Sequence, residues 1–74
     1  MTNYELLEKH LPVINKLVQN NLIHIDIFKQ IEIYERFHSL TGLKKERYRK
    51  LSEELGITPL TVQRTVLKLS KPVK

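Results

Sequence analysis

Two opposite helix signals stand almost side by side near the C-terminal end of the chain, in Leu55-Gly56-Ile57-Thr58-Pro59. Glycine adopts the left-handed backbone that ends a helix without steric cost. Thr58, two residues later, is a good N-cap. Pro59 follows at the first helical position, where a missing N–H costs nothing. On both sides the apolar residues recur at helical spacing: Tyr48, Leu51 and Leu55 before the turn, Val62, Val66 and Leu69 after it. The segment therefore predicts two amphipathic helices joined by Gly56-Ile57-Thr58. So short a connection holds them at a steep angle over a shared core.

The chain before this pair is also helical in pattern. Thr2 and Glu5 have the spacing of a capping box, which satisfies two orphan backbone donors at a helix start. Tyr4, Leu7, Leu11, Ile14 and Val18 then form a 3,4-spaced stripe, widened by Leu6 and Leu17. Pro12 interrupts it and predicts a kink or a split into two short helices. Leu7, Leu11, Ile14 and Val18 have two possible uses: intramolecular core, or a surface pairing with a second copy of the chain. Residues 22–27 alternate isoleucine with polar side chains but have no second strand to pair with. They are expected to form an extended linker ending at Asp26 as an N-cap. A helix follows with Ile27, Ile31, Tyr34 and Leu40 on one face and Phe28 and Phe37 flanking it, ended by a left-handed Gly42. The expected fold is all-α: an N-terminal helical extension over 1–21 and a three-helix core over 22–74, in a single compact domain.

Seventy-four residues allow little more than this. A chain so short buries only about 60% of its unfolded surface, and without cysteine no disulfide reinforces it. No apolar run has the roughly 18–20 residues of a membrane span, and the N-terminus lacks a signal-peptide layout, so a cytoplasmic location is expected. Catalytic patterns are missing too. With two glycines there is no phosphate-cradling loop. His10, His24 and His38 are too widely spaced for a metal site, and the adjacent Glu53 and Glu54 diverge on a helix. A non-enzyme without metal or cofactor is expected.

The charge is the more telling quantity. Residues 1–40 carry four basic and five acidic side chains, a sum of −1; residues 41–74 carry nine basic and three acidic, a sum of +6. Such asymmetry points to a polyanionic partner. Lys44, Lys45, Arg47, Arg49 and Lys50 crowd the first two turns of their helix, where the helix dipole disfavours cations. An external phosphate would repay that placement.

The stretch Leu51-Ser52-Glu53-Glu54-Leu55-Gly56-Ile57-Thr58-Pro59-Leu60-Thr61-Val62-Gln63-Arg64 resembles the helix-turn-helix signature of bacterial and phage DNA-binding regulators. With the helix before it, the region is similar to three-helix, homeodomain-like domains. Ser52, where alanine is common, and Thr65, where an apolar residue is usual, depart mildly from the pattern. The resemblance implies double-stranded DNA as partner and a recognition helix, residues 59–69, in the major groove. Pro59, Leu60, Gln63 and Arg64 then stand where base edges are read. Gln63 suits adenine, Arg64 guanine, and Leu60 a thymine methyl. Lys44, Lys45, Arg47, Arg49, Lys50, Thr58, Thr61 and Lys68 suit phosphates, with Lys71 and Lys74 as tail contacts. Leu60 and Leu67 both lie on the outward side of the last helix; Leu67 is expected to pack against protein, under the N-terminal helix or in a dimer contact. The implied role is a small transcriptional regulator of repressor type, in a bacterial, phage or mobile-element setting. An accessory factor in recombination, excision or packaging would share the same residues. A non-catalytic helical adaptor for an acidic protein is the alternative outside DNA binding.

Overall fold

A computed structural model describes all 74 residues. It is all-helical: α1 (Asn3–Lys9), α2 (Leu11–Gln19), α3 (Asp26–Ser39), α4 (Lys44–Leu55) and α5 (Pro59–Ser70). The Thr2–Glu5 capping box is formed in both directions, with Thr2 Oγ1 accepting from Glu5 N–H at 3.2 Å and Glu5 Oε1 accepting from Thr2 N–H at 2.9 Å. Those bonds to Thr2 hold the Glu5 carboxyl below the ordinary carboxylate range. Pro12 splits the first segment: α1 ends at His10 and α2 begins one residue later. The proline has no N–H to return to the carbonyl of Glu8, so one continuous helix would leave that acceptor empty.

The connection from α2 to α3 is coiled rather than extended. Asn21 takes a left-handed conformation (φ 58°), its N–H bonds to Val18 O, and Leu22 N–H reaches back to Leu17 O at 2.8 Å. This is a Schellman ending with asparagine in glycine's usual place. It satisfies the helix's last carbonyls locally, so the Ile alternation has no need of a strand partner. Asp26 is not the N-cap of α3 either. It is the first helical residue, and Ile25 ahead of it is already right-handed helical (φ −59°, ψ −21°). His24 supplies the cap instead, its Nδ1 accepting from Asp26 N–H at 3.2 Å.

Gly42 has the expected positive φ (109°) but does not end α3. The helix stops at Leu40, which turns to extended backbone, and Gly42 lies in the turn before α4. Gly56 does end α4, in the left-handed region (φ 67°). Thr58 caps α5 by accepting from Thr61 N–H at 3.2 Å, with Pro59 next to it.

The core is Ile33, Phe37, Leu51, Val62 and Val66, surrounded by Leu40, Tyr48, Leu55 and Ile57. It joins α3, α4 and α5, and the turn contributes Ile57 to it. The apolar face of α3 is therefore centred on Ile33 and Phe37, with Ile31 also buried. Ile27 and Tyr34, expected at its middle, are half-buried at its margin. On α5, Val62, Val66 and Leu69 point inward as expected. Thr65 joins them, its hydroxyl donating to Thr61 O at 2.9 Å, which satisfies a buried polar group without a partner from elsewhere.

α1 is fastened to the far end of α5. Asn3 N–H donates to Lys71 O at 2.8 Å, Asn3 Nδ2 to Lys68 O at 2.9 Å, and Val73 N–H to Met1 O at 2.9 Å. The first donors of one helix thus meet the last carbonyls of another, two sets that neither helix satisfies internally. The opposed helix ends also favour each other electrostatically. Tyr4 stacks on Tyr34 of α3 with centroids 4.4 Å apart, and Ile14 of α2 is buried. Burial and the nearby Glu35 carboxylate push the Tyr4 hydroxyl pKa up. The radius of gyration, 12.9 Å, exceeds the roughly 11 Å of a compact chain this long. In the N-terminal half, Val13, Leu22, Ile23 and Ile25 remain exposed on α2 and the turn after it.

Candidate nucleic-acid interface

The inner side of α5 is filled by Val62, Thr65, Val66 and Leu69, and helical geometry then determines what faces out. Leu60, Gln63, Arg64 and Leu67 recur at i, i+3, i+4 and i+7 and are all exposed. Pro59, Leu60, Gln63 and Arg64 thus form one outward strip over the first two turns. Leu67 belongs to the same strip. It is 50% exposed, because it follows Leu60 by two turns and shares its direction, so it does not pack under the N-terminal helix.

Four of the five cations of α4 stand in solvent: Lys44, Lys45, Arg49 and Lys50. Lys45 and Arg49, one turn apart, border an open groove of about 400 Å³ together with Glu46 and Pro59. The turn at Gly56 thereby brings two cations of α4 to the start of α5. Arg49 and Lys50 border a second, wholly polar groove of about 330 Å³ with Thr41, Glu46, Arg47 and Glu53.

Arg47 does not belong with the outward four. It is half-buried, with its guanidinium carbon 4.3 Å from the centroid of the Phe37 ring, and its Nε is buried without a hydrogen-bond partner. Arg47 precedes the fully buried Leu51 by one turn, so its stem is directed along the core side of α4. Its main contact is a cation–π interaction inside the chain.

Thr58 and Thr61, at the start of α5, are exposed but engage each other, Oγ to Oγ at 2.8 Å. One of the two O–H groups is used in that bond, and the other remains free to donate. Lys68 lies on the flank toward α3, its Nζ donating to Gln30 Oε1 at 3.1 Å. The Lys68–Gln30 contact was not visible in the sequence, since the two residues are 38 apart in the chain.

The ion pairs are Arg36–Glu32 at 3.2 Å and Arg36–Glu54 at 3.8 Å. Neither uses a cation of residues 41–74. Arg36 of α3 instead reaches Glu54, one of the three acids of that region. All nine of its cations (Lys44, Lys45, Arg47, Arg49, Lys50, Arg64, Lys68, Lys71 and Lys74) are left without a carboxylate partner. Tyr4 and Glu5, the groups with perturbed pKa values, lie on α1 outside this surface. No three His, Asp or Glu side chains converge on a point.

The stripe considered for pairing with a second copy is largely used inside the chain. Ile14 is 7% exposed, and Leu7, Leu11 and Val18 are half-buried. No helix is long and apolar enough to cross a membrane. No protein-family model, curated protein or solved structure matches the chain.

Proposed function

We propose that α3, α4 and α5 act as a helix-turn-helix unit that binds double-stranded DNA sequence-specifically, with α1 and α2 as its N-terminal helical support. In this proposal α5 lies in the major groove and the chain serves as a small transcriptional regulator of repressor type. The observation that carries it is the set of eight exposed cations without a carboxylate partner around a helix pair whose outward strip holds Gln63 and Arg64. A protein surface normally interleaves charges of both signs. Here the acids are fewer, and one of them is engaged from α3. Uncompensated cations repel one another, and a polyanion relieves that repulsion while releasing its own counterions.

The parts divide by chemistry. Lys44, Lys45, Arg49 and Lys50 contact the sugar-phosphate backbone as the helix before the turn crosses it. The Thr58–Thr61 pair adds a neutral phosphate contact through its one free O–H, and Lys68 adds one from the flank of α5. These set position and register. Gln63 and Arg64 read adenine and guanine through two hydrogen bonds each, and Leu60 meets a base edge in the first turn. Pro59 lets the helix start approach the groove without presenting an unpaired N–H. Arg47 is assigned to the core rather than to phosphate.

Selection from random duplexes at several salt concentrations tests the proposal. The wild-type chain is expected to enrich one motif and to lose affinity steeply with salt. The Gln63→Ala/Arg64→Ala variant is expected to keep the salt slope and lose the motif. Absence of both enrichment and slope would refute DNA binding and leave the acidic-protein adaptor as the reading to pursue.

A further inference from the structure

The accessible surface of the chain is 5547 Å². A compact monomer of 8.8 kDa exposes about 4,800 Å², so about 750 Å² is in excess. That is close to the roughly 800 Å² that each partner contributes to a standard protein interface. The exposed surface also has an apolar focus. Val18, Asn21, Leu22, Ile23, His24 and Ile25 border an open groove of about 460 Å³ where α2 turns into α3. Leu22, Ile23 and Ile25 are 72%, 37% and 64% exposed. From Leu17 to Ile25 there is no Lys, Arg, Asp or Glu. Depletion of charge marks the centre of an interface, more than apolar area does.

The backbone of this loop is held in place. The left-handed Asn21 ends α2, Leu22 N–H and Ile23 N–H both bond to Leu17 O, at 2.8 and 3.4 Å, and His24 caps α3. In a Schellman ending the residue at Leu22's place commonly packs back on the residue at Leu17's. Here Leu22 stays in solvent instead. Apolar side chains carried on a fixed backbone lose little conformational freedom when a partner covers them.

Charge selects the partner. Residues 1–40 sum to −1 and residues 41–74 to +6. Two copies meeting through their basic halves repel each other. Two copies meeting at this groove touch uncharged surface within the nearly neutral half. A strongly charged partner would find no complementary side chain there. A symmetric pair needs none, because the same apolar residues serve both sides. We propose that this groove is the self-association surface of the chain: two copies pair about a twofold axis, with Leu22, Ile23 and Ile25 of each against those of the other. Pairing thus falls on the α2–α3 turn and not on the stripe of Leu7, Leu11, Ile14 and Val18, of which only Val18 borders the groove. The inference does not rest on the DNA reading, and its test contains no DNA.

Sedimentation equilibrium of the full chain is measured up to about 500 μM, above the micromolar limit at which interfaces of this size pair. The mass is expected to rise from 8.8 kDa to twice that value and stop. Leu22→Asp is expected to raise the dissociation constant about 100-fold, since pairing would bury an unpaired carboxylate, and to leave the circular dichroism unchanged because Leu22 is exposed. The chain has no cysteine, so Asn20→Cys, next to the groove, and Leu67→Cys, on α5, each introduce a single thiol. A short bis-maleimide is expected to link two Asn20→Cys chains and to leave Leu67→Cys chains single. Should Leu22→Asp unfold, this linking arm decides alone. A mass of 8.8 kDa at every concentration overturns the proposal. So does a pair that survives Leu22→Asp or links through Leu67→Cys alone, which would place pairing on α5. A mass that climbs past the pair overturns the closed twofold arrangement.

Discussion

Replacing Gly56 isolates the backbone contribution of the turn between α4 and α5. The residue sits at φ 67°, and a Cβ built on it meets no atom within 4 Å. An L-alanine there pays only for conformation, about 1–2 kcal/mol for the left-handed region. Part of this is offset because alanine lowers the entropy of the unfolded chain relative to glycine, by about 0.4–1 kcal/mol. The net expectation is a loss of about 1 kcal/mol. For a domain this small each kcal/mol moves Tm by about 4–8 °C. A D-alanine, accessible by chemical synthesis of so short a chain, reverses the sign. Its preferred backbone is the mirror image, so φ 67° is relaxed, and only the unfolded-state gain remains. Gly56→Asn should fall between glycine and L-alanine, because asparagine tolerates this region.

Urea unfolding followed by far-UV circular dichroism measures the three variants against the parent. The midpoint should fall for L-alanine and rise for D-alanine, with the slope unchanged, because no surface is added or removed. Destabilisation by both enantiomers to a similar degree would mean that the Cβ itself is not accommodated, and the open space around Gly56 would be refuted. A neutral L-alanine would refute the left-handed turn, and with it the relative placement of α4 and α5.

Other expectations follow from single contacts. Arg47→Ala should cost about 1 kcal/mol or more of stability through its lost contact with Phe37, and leave the salt slope of DNA binding unchanged. Lys45→Ala and Arg49→Ala should do the reverse, each lowering the slope by about 1 at unchanged Tm. Leu51→Ala, at a fully buried position, should cost about 2–5 kcal/mol, a large share of the roughly 4–11 kcal/mol expected for a chain this long, seen as partial unfolding in water. For Glu5 the sign is fixed by its lowered pKa. The unfolded chain binds that proton more tightly, so the cap's contribution is complete above the ordinary carboxylate pKa and is lost as pH falls through the folded value. Glu5→Gln should flatten that part of a stability-versus-pH curve.

The helices with strong local signals were legible from residues alone. Gly56, Thr58 and Pro59 carry a stop and a start whose chemistry needs no tertiary context, and the structure realises both. The same holds for the Thr2–Glu5 box and the break at Pro12. The α2–α3 connection was not legible in this way, because two local solutions compete there. Asp26 is a good N-cap by type and as such would accept from Phe28 or Lys29 N–H, but once the chain coils at Asn21 a histidine two residues earlier accepts from Asp26 N–H and the helix starts one residue sooner. The clasp between Asn3 and the end of α5 was beyond sequence reasoning altogether. It depends on where two helix ends arrive, and no residue type announces that.

Arg47 and Leu67 both stand in surroundings that their side-chain chemistry alone does not suggest, and in each the helical angle is the stronger constraint. Arg47 stands one turn before Leu51, and Leu67 two turns after Leu60, so the spacing already assigned the first inward and the second outward. Chemistry argued the opposite, since arginines prefer water and leucines avoid it. The core explains why angle prevailed. Leu51 and Val62 are fully buried between α3, α4 and α5, which fixes the rotation of both helices. Turning α4 to expose Arg47 would drag Leu51 into water, and turning α5 to hide Leu67 would expose Val66. Each exchange sacrifices a fully packed side chain, at about 1.5–3 kcal/mol, to relieve a long residue that has a cheaper escape. Arg47 places its guanidinium over the Phe37 ring. Leu67 has no such contact inside the chain and stays exposed, because hiding it would cost more buried surface at Val66 than it would gain.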